Sequence, residues 1–308
     1  MAGGEEAGTR EPRSQGARLE FPWLPDSLTP RLPALPELPE VETMVSDIRS
    51  GLTGRRILSA RLSHDDVLRG VSRRALLAGL KGARIRSVTR RAKHAVIETD
   101  RGRLVVQPGM TGNLEVRATG LPVAERRYAV LRVELDNGRT LVYHDVRRLG
   151  TLLWLDQAGW ERYDRAIGPE PLDRGFTARA LQRILEGSRA AIKKVLMDQG
   201  SVAGVGNIYA QEALFAAGID PSKPAREVPP ARVAPLRREL VRILRAAIRA
   251  KGSTVRDYRT GTGEPGKFQL ELQVYGRAGE PCVRCGTLLA GTHAIDARIT
   301  VFCHRCQS

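Results

Sequence analysis

All four cysteines of the 308-residue chain lie in its last 27 residues. They form two Cys-x-x-Cys pairs that are separated by 17 residues. This spacing is typical of a site in which four thiolates bind one structural zinc ion and leave no position open for water. A pair of redox dithiols, the alternative, is expected beside a thioredoxin-like strand and helix. We therefore expect a small module that binds one Zn²⁺ through Cys282, Cys285, Cys303 and Cys306.

Basic residues outnumber acidic ones, with 50 Lys and Arg against 34 Asp and Glu and a net charge of +16. An excess of this size indicates a polyanionic partner, and DNA or RNA is the first candidate. The alternative is a basic protein that uses arginine for solubility. No apolar run approaches the roughly 20 residues that span a membrane, and the N-terminus lacks the apolar region of a signal peptide. We expect a soluble cytoplasmic protein.

Residues 36–54 have the pattern of an amphipathic helix that begins at two prolines. Apolar residues recur at i, i+4, i+7 and i+11 from Val41, which is the spacing of one helix face. Pro39 falls in the first turn, where its missing N–H costs no hydrogen bond. The 35 residues before this helix are rich in proline, glycine and charge and have no apolar period, so we expect them to be disordered.

The remaining chain changes from a strand pattern to a helix pattern at a linker, residues 167–172. Between about residues 55 and 154, alternating segments are separated by turns, and Asn137-Gly138 is a strong hairpin signal. Beyond the linker the apolar period is helical as far as about residue 250. We expect an α+β protein with an antiparallel β-sandwich flanked by helices over 36–166, a helical domain over 167–271 and the zinc module over 272–308.

Residues 36–43, Pro-Glu-Leu-Pro-Glu-Val-Glu-Thr, resemble the N-terminus of bacterial formamidopyrimidine-DNA glycosylases, which excise oxidised purines and then cut the strand. Further motifs follow in the order of that family, and the resemblance extends from about residue 36 to residue 307. It implies a helix-two-turn-helix in the helical domain and a β-hairpin in the zinc finger. It also implies a bacterial monomer that binds double-stranded DNA in the cleft between its domains and associates with the nucleoid through this DNA.

The implied protein is thus a monomeric bacterial enzyme whose partner is DNA that contains oxidised purines.

In that family the proline is the first residue of the mature chain and its amine is the nucleophile, whereas here it is Pro36. An α-amino group titrates near about 7.7–8.0, against about 10.4 for lysine, so more of it is neutral at pH 7. A proline inside a peptide bond has no amine to offer. We therefore expect either that translation starts at Leu35, read as a methionine that is then removed, or that residues 1–35 are removed by proteolysis, and we favour the first.

The resemblance implies three further catalytic residues. Glu37 matches the carboxylate that passes protons to the sugar ring and the leaving base. Lys93, in a basic segment expected within a strand, matches the lysine that contacts phosphate beside the lesion and assists elimination. Arg298, between the cysteine pairs, matches the arginine at the zinc-hairpin tip that assists the second elimination. A solvated first-turn carboxylate and a solvated strand face are the alternative interpretations of Glu37 and Lys93.

The resemblance also implies a set of residues that bind DNA or support its binding. Some fill the space left by a flipped base or read the orphaned cytosine. Others contact phosphate at a Gly-rich turn, close over the flipped purine or position the first turn of the N-terminal helix. A leucine replaces the usual aromatic wedge, and a tyrosine falls near a usual histidine. The implied residues are Glu40, Met110, Tyr128, Arg147, Leu149, Asn207, Arg256 and Tyr258.

These observations favour a base-excision repair glycosylase and AP lyase that removes 8-oxoguanine and formamidopyrimidines through a Schiff base and β,δ-elimination. Two alternatives stay open. A glycosylase for oxidised pyrimidines, like endonuclease VIII, is disfavoured by Leu38-Pro39 and by the purine-capping loop. A non-catalytic protein that binds lesions or DNA follows if Pro36 stays blocked.

Overall fold

The computed structural model describes residues 35–118, 121–253 and 266–308. Its first helix, α1 (Leu38–Leu52), confirms the helix expected at the two prolines, and Pro39 lies in its first turn. The apolar face that starts at Val41 is buried. Gly54, beyond the helix end, has a positive φ of 83°, a conformation that glycine adopts without strain. The helix therefore begins and ends where the sequence places its signals.

Eight strands form two four-stranded sheets, which confirm the expected β-sandwich. In chain order these strands are β1 (Ile57–Leu62), β2 (Ile85–Arg91), β3 (His94–Thr99), β4 (Arg103–Gln107), β5 (Gly112–Arg117), β6 (Ala129–Leu135), β7 (Thr140–Asp145) and β8 (Thr151–Leu155). One sheet has the order β1-β6-β7-β5 and the other β2-β3-β4-β8, with antiparallel pairing throughout. Apolar side chains of α1 and of both sheets share one core.

Two parts of the strand region are helical where the sequence indicated strands and turns: the four residues Val123–Arg126 and a longer segment. Arg73–Leu80 forms helix α2, which Ser72 caps by accepting the Ala75 N–H at 3.2 Å. Leu76 and Leu80, one turn apart, reach the sandwich core. The helix was missed because two core positions in eight residues do not establish a helical period.

The C-terminal half confirms the change to a helical period. Two further helices of the first half are α3 (Val123–Arg126) and α4 (Gln157–Arg165). The second half contains α5 (Ala178–Glu186), α6 (Ile192–Met197), α7 (Asn207–Ala217) and α8 (Pro230–Arg249). Helices α5 to α8 enclose a second core, to which Leu38 of α1 belongs, whereas Val41 belongs to the sandwich core. The Leu38 N–H donates to the Gly204 carbonyl at 3.0 Å. The first turn of α1 therefore joins the two cores.

The chain ends in a small β-hairpin beside α7. Strands β9 (Ala290–Thr292) and β10 (Thr300–Phe302) pair antiparallel. Phe215 of α7 packs in one apolar cluster with Val301 and the cysteine-bearing segments. Among the residues that the structure describes, no helix combines the length and apolar character needed to cross a bilayer.

Candidate functional site

The carboxylate of Glu37 lies where α1 meets α7. Glu37 immediately precedes α1, and only 3% of it is exposed. Its Oε1 accepts the Ile208 N–H at 3.0 Å, and its Oε2 accepts the Tyr209 N–H at 3.5 Å. Both N–H groups belong to the first turn of α7, where donors lack helical partners and the helix dipole favours an anion. Glu37 therefore caps a helix that begins 170 residues later in the chain.

The pKa of Glu37 is raised above its ordinary value. Burial is the main cause, and the nearby Glu40 carboxylate adds to the rise. The charges of Lys93 and Arg298 and the hydrogen bond from Ile208 act in the opposite direction. A carboxyl group with a raised pKa keeps its proton to a higher pH than a solvated glutamate, which suits a group that protonates a leaving base.

Glu40 fixes the first turn of α1 against the helical half of the protein. It is 1% exposed, and its Oε2 accepts the Glu37 N–H at 3.0 Å. Its Oε1 accepts the Tyr209 hydroxyl at 2.6 Å and the Ser253 N–H at 2.8 Å. These partners account for a buried carboxylate and hold Glu37 and the start of α7 together.

Gly206 allows Glu37 to approach α7 so closely. It precedes α7, and a Cβ atom on it would lie 2.5 Å from Oε1 of Glu37. Gly204, in the same turn, has a positive φ of 77°, and a Cβ there would lie 2.7 Å from the Cβ of Leu38. The two glycines therefore let the turn before α7 pack directly on residues 37 and 38.

Lys93 lies in the turn between β2 and β3, residues 92–93, and not within a strand as the sequence suggested. Ala92 has a positive φ of 51° in this turn. Glu170, in the linker, accepts the Ala92 N–H at 2.6 Å and forms an ion pair with Arg90 at 2.7 Å. The linker carboxylate thus holds the turn in place, and the charge of Lys93 is close enough to lower the pKa of Glu37.

Arg298 lies two residues before β10 and forms an ion pair with Asp296 of the same hairpin. Its Nε donates to Oδ1 of Asp296 at 3.2 Å, and its backbone N–H donates to the same oxygen at 2.8 Å. The Arg298 side chain is 38% exposed, so the guanidinium remains accessible to a phosphate. Its charge also reaches Glu37 and lowers the pKa of that carboxyl.

Lys193, on α6, belongs to this charged cluster and was missed from the sequence. It is fully buried, and its Nζ donates to the Thr300 hydroxyl at 2.7 Å. Burial lowers its pKa to about 8, with Arg298 acting in the same direction and Asp296 and Glu37 opposing. A lysine next to a second lysine in an apolar helix gives no sequence signal of burial, so only the fold reveals this amine.

Met110 and Arg147 lie in two loops that one carboxylate ties together. Oδ1 of Asp145 accepts the Thr111 hydroxyl at 2.6 Å, and the same hydroxyl oxygen accepts the Arg147 N–H at 3.0 Å. Leu149, in the second loop, is 47% exposed, whereas Met110 is 3% exposed. The structure therefore brings the two loops together, with the leucine outward and the methionine packed inward.

Two further residues of the expected DNA-contacting set are described. Asn207 begins α7, and its Nδ2 lies 3.4 Å from the Ile299 carbonyl, so it adjoins the zinc hairpin. Tyr128 precedes β6, and the Arg127 guanidinium lies 4.6 Å from the centre of its ring. The remaining two, Arg256 and Tyr258, lie outside the described residues.

The four cysteines converge at the base of the β9–β10 hairpin. All four Sγ atoms lie within 4.8 Å of one another. The Sγ atoms of Cys282 and Cys306 are 3.9 Å apart, and those of Cys285 and Cys303 are 3.5 Å apart. Four sulfurs around one zinc at about 2.3 Å would be spaced by roughly 3.8 Å, so the cluster fits a tetrahedral metal ion.

Two family models match the chain, the formamidopyrimidine-DNA glycosylase N-terminal domain over residues 35–152 and the H2TH domain of the same enzymes over residues 167–259. The formamidopyrimidine-DNA glycosylase of Stutzerimonas stutzeri is 43% identical over 268 residues, which are 87% of this chain and 98% of the relative.

Solved structures give the same result. Lactococcus lactis Fpg in complex with DNA that contains an abasic site is 32% identical with a TM-score of 0.80, over 88% of this chain and 99% of that one. Fpg (MutM) of Thermus thermophilus is 36% identical with a TM-score of 0.76, over 88% and 98%. The fold class and the resemblance seen in the sequence are confirmed, and the chain belongs to the formamidopyrimidine-DNA glycosylase family.

Proposed function

We propose that this protein is a DNA glycosylase and AP lyase that removes 8-oxoguanine and formamidopyrimidines, with the amine of Pro36 as nucleophile. The observation that carries the proposal is the setting of Glu37. This carboxyl group adjoins Pro36, is buried with a raised pKa, and is flanked by the positive charges of Lys93 and Arg298. The formamidopyrimidine-DNA glycosylase relatives, aligned over most of the chain, support the activity.

The reaction begins at sugar C1′ of a flipped nucleotide. The neutral amine of Pro36 attacks C1′, and the bond from C1′ to the base breaks. Glu37 gives its proton to the departing base, then takes the N–H proton from the attached proline and passes it to the ring oxygen, so that opening of the ring leaves an iminium ion between C1′ and the proline nitrogen. Loss of a C2′ proton expels the 3′ phosphate, and a second elimination expels the 5′ phosphate. Hydrolysis of the iminium frees the enzyme.

Lys93 and Arg298 supply positive charge where these phosphates leave. Both act electrostatically on Glu37, so both lie near the carboxyl group that faces the sugar. A cation beside a leaving phosphate stabilises the charge that develops on it. Arg298 would exchange Asp296 for a DNA phosphate, since both present oxygen acceptors to a guanidinium.

The two loops joined by Asp145 would hold the duplex open. A glycosylase reaches the glycosidic bond only after the nucleotide leaves the stack. Arg147 would bind the orphaned cytosine, and the exposed Leu149 would wedge between bases. Met110 is packed inward, so filling the vacated space requires this side chain to rotate out of the protein.

The four-cysteine cluster fits a structural zinc ion better than a catalytic one. Cys282, Cys285, Cys303 and Cys306 would hold it through four thiolates, and such a site leaves no position open for water. Bound there, the ion would supply a rigid base for the β9–β10 hairpin. The hairpin itself, through Arg298, would contact DNA.

The domain organisation follows from the same assignment. Residues 36–166 would form the catalytic sandwich, 167–271 the helix-two-turn-helix domain and 272–308 the zinc finger, with Glu37 and Glu40 at the junction of the first two. DNA would lie in the cleft between the first two domains, bound by a monomer.

A panel of lesions tests this function. A chain that begins at Pro36 is incubated with duplexes that carry 8-oxoguanine, formamidopyrimidine guanine or thymine glycol, and base release is measured. We expect both oxidised purines to be released at least about ten-fold faster than the pyrimidine. A preference for thymine glycol would instead establish the oxidised-pyrimidine alternative, and tight binding of all duplexes without release would establish a binding protein.

Replacing Gly206 by alanine is expected to impair excision without unfolding the protein. The new Cβ would force the Glu37 carboxyl away from the Ile208 N–H. A displacement of this kind lowers a rate by about 10²-fold. Single-turnover release of 8-oxoguanine measures the effect. Gly175→Ala is the matched control, because a Cβ at that exposed glycine meets nothing within 4 Å.

Equal release by both alanine variants would show that the contact between Glu37 and α7 does not matter for the reaction. A melting temperature that falls for Gly206→Ala by more than for Gly175→Ala would indicate that the substitution loosens the domain junction as well.

A further inference from the structure

We propose that Gln211 is a positioning residue that holds the Arg298-bearing hairpin in register with the phosphate-binding Asn207. The inference rests on the proposed function, since it concerns how two of the DNA-contacting groups are held. Gln211 lies on α7 one turn after Asn207 and is 1% exposed. Its side-chain amide is therefore enclosed between α7 and the hairpin.

One set of contacts joins Gln211 to the hairpin. Its Oε1 accepts the Val301 N–H at 2.7 Å, and its Nε2 donates to the Ile299 carbonyl at 3.1 Å. A backbone N–H can only donate and a carbonyl can only accept, so these two partners fix which end of the amide is oxygen. The amide thus hydrogen-bonds to the hairpin backbone on both sides of Thr300, as a neighbouring strand would.

A second set of contacts joins Gln211 to Asn207. Nε2 of Gln211 also donates to Oδ1 of Asn207 at 2.8 Å and to the Asn207 carbonyl at 3.0 Å. With its oxygen engaged, the Asn207 amide is fixed with Nδ2 as its donor end, the end that binds a phosphate oxygen. Gln211 therefore orients Asn207 and the hairpin through a single amide group.

This geometry bears directly on Arg298, the residue before Ile299. A shift of the strand at Ile299 and Val301 would move the Arg298 guanidinium relative to Asn207. Lys193 holds the intervening Thr300 from α6, so the hairpin is bonded to two helices by buried polar groups. Buried networks of this kind are stiff when every member is paired and costly when one member is removed.

The test is a double-mutant cycle in the chain that begins at Pro36. Gln211→Met keeps the length of the side chain but leaves Val301 N–H, Ile299 C=O and Asn207 Oδ1 without this partner. On a duplex with an abasic site, we measure the ratio of β,δ-product to β-product, because Arg298 acts in the second elimination. We expect this ratio to fall about ten-fold, the size of effect that losing one or two hydrogen bonds produces.

In the Arg298→Ala background, Gln211→Met is expected to change the ratio no further, because the group it positions is gone. An equal additional fall in that background would overturn the proposal, as would an unchanged ratio in Gln211→Met alone. Gln182→Met is the matched control, since its amide donates to Glu186 at 2.7 Å on the surface of α5.

Zinc content and the melting temperature check that the hairpin still folds. If Gln211→Met loses zinc, the cycle is repeated with Gln211→Glu, which keeps an acceptor for the Val301 N–H and loses the donor to Ile299 and Asn207. Failure of the unsubstituted Pro36 chain to cleave any lesion would contradict the proposed function instead, so the two failures are distinguishable.

Discussion

On a duplex with 8-oxoguanine opposite cytosine, borohydride is expected to crosslink a chain that begins at Pro36 and to leave the 308-residue chain uncrosslinked. Borohydride reduces a Schiff base to a stable amine, so a crosslink reports an amine bonded to C1′. In the 308-residue chain the Pro36 nitrogen is an amide, with its lone pair delocalised into the carbonyl of Leu35. We therefore expect complete loss of trapping, not a partial decrease.

The structure supports the importance of this position. Pro36 is buried directly before Glu37, and the match to the N-terminal domain of the family begins at residue 35. Residues 1–34 lie outside the described part of the chain, and the block at Pro36 is a chemical one, because its nitrogen is an amide. The N-terminal mass of the protein from its native host identifies which form the cell makes.

Two controls make the experiment specific. A chain that begins at residue 36 with Pro36→Gly keeps an α-amine and is expected to crosslink, whereas the same substitution in the 308-residue chain is not. If the 308-residue chain crosslinks, another amine is the nucleophile. Lys193 is then the first candidate, since its pKa of about 8 leaves part of it neutral near pH 7, and Lys193→Met would remove the crosslink.

Much of the fold was predictable because its signals are local. The first turn of α1 is marked by Pro39, the hairpin between β6 and β7 by Asn137-Gly138, and the zinc module by cysteine spacing. Each signal acts within a few residues, where the backbone preference of proline or glycine dominates. Helix α2 was missed because its two core contacts are too few to show a period.

The site was predictable only as far as motifs reach. The resemblance named Glu37, Lys93 and Arg298, but it did not reveal that the Glu37 carboxyl caps α7 or that Lys93 lies in a turn. The sequence did not indicate a role for Lys193 or Gln211, because their roles depend on the packing of the zinc hairpin against α6 and α7. Long-range approach of this kind has no signature in a single sequence.

Replacing Glu37 by glutamine is expected to lower 8-oxoguanine release by about 10²- to 10⁴-fold, the usual contribution of a general acid. Glutamine has nearly the same shape but carries no transferable proton. An abasic site has no base to protonate and offers the amine an aldehyde whose ring is already open, so crosslinking to that substrate is expected to survive. Equal loss on both substrates would show that Glu37 serves the attack of the amine and not the departure of the base.

The pH dependence of base release, compared between the unsubstituted chain and Glu37→Gln, separates the role of the Pro36 amine from that of the Glu37 proton. The neutral amine of Pro36 is favoured by raising the pH, and the protonated Glu37 by lowering it. In the unsubstituted chain, release is therefore expected to fall as the pH rises through the pKa of Glu37, which burial raises above the usual range of glutamate. Glu37→Gln is expected to lack this fall.

The stability of the glutamine variant decides whether Glu37 is kept for chemistry or for folding. The folded-state pKa of Glu37 is raised above the unfolded value, so its contribution to stability is present below the unfolded pKa and lost as the pH rises through the folded pKa. Glutamine stays neutral throughout, and we expect its melting temperature at pH 8 to equal or exceed that of the unsubstituted chain. A variant less stable by more than about 1 kcal/mol at pH 8 would mean that the charged carboxylate is mainly a cap for α7. If Glu37→Gln is equally or more stable but no longer excises the base, then Glu37 serves catalysis by delivering a proton and does not stabilise the fold.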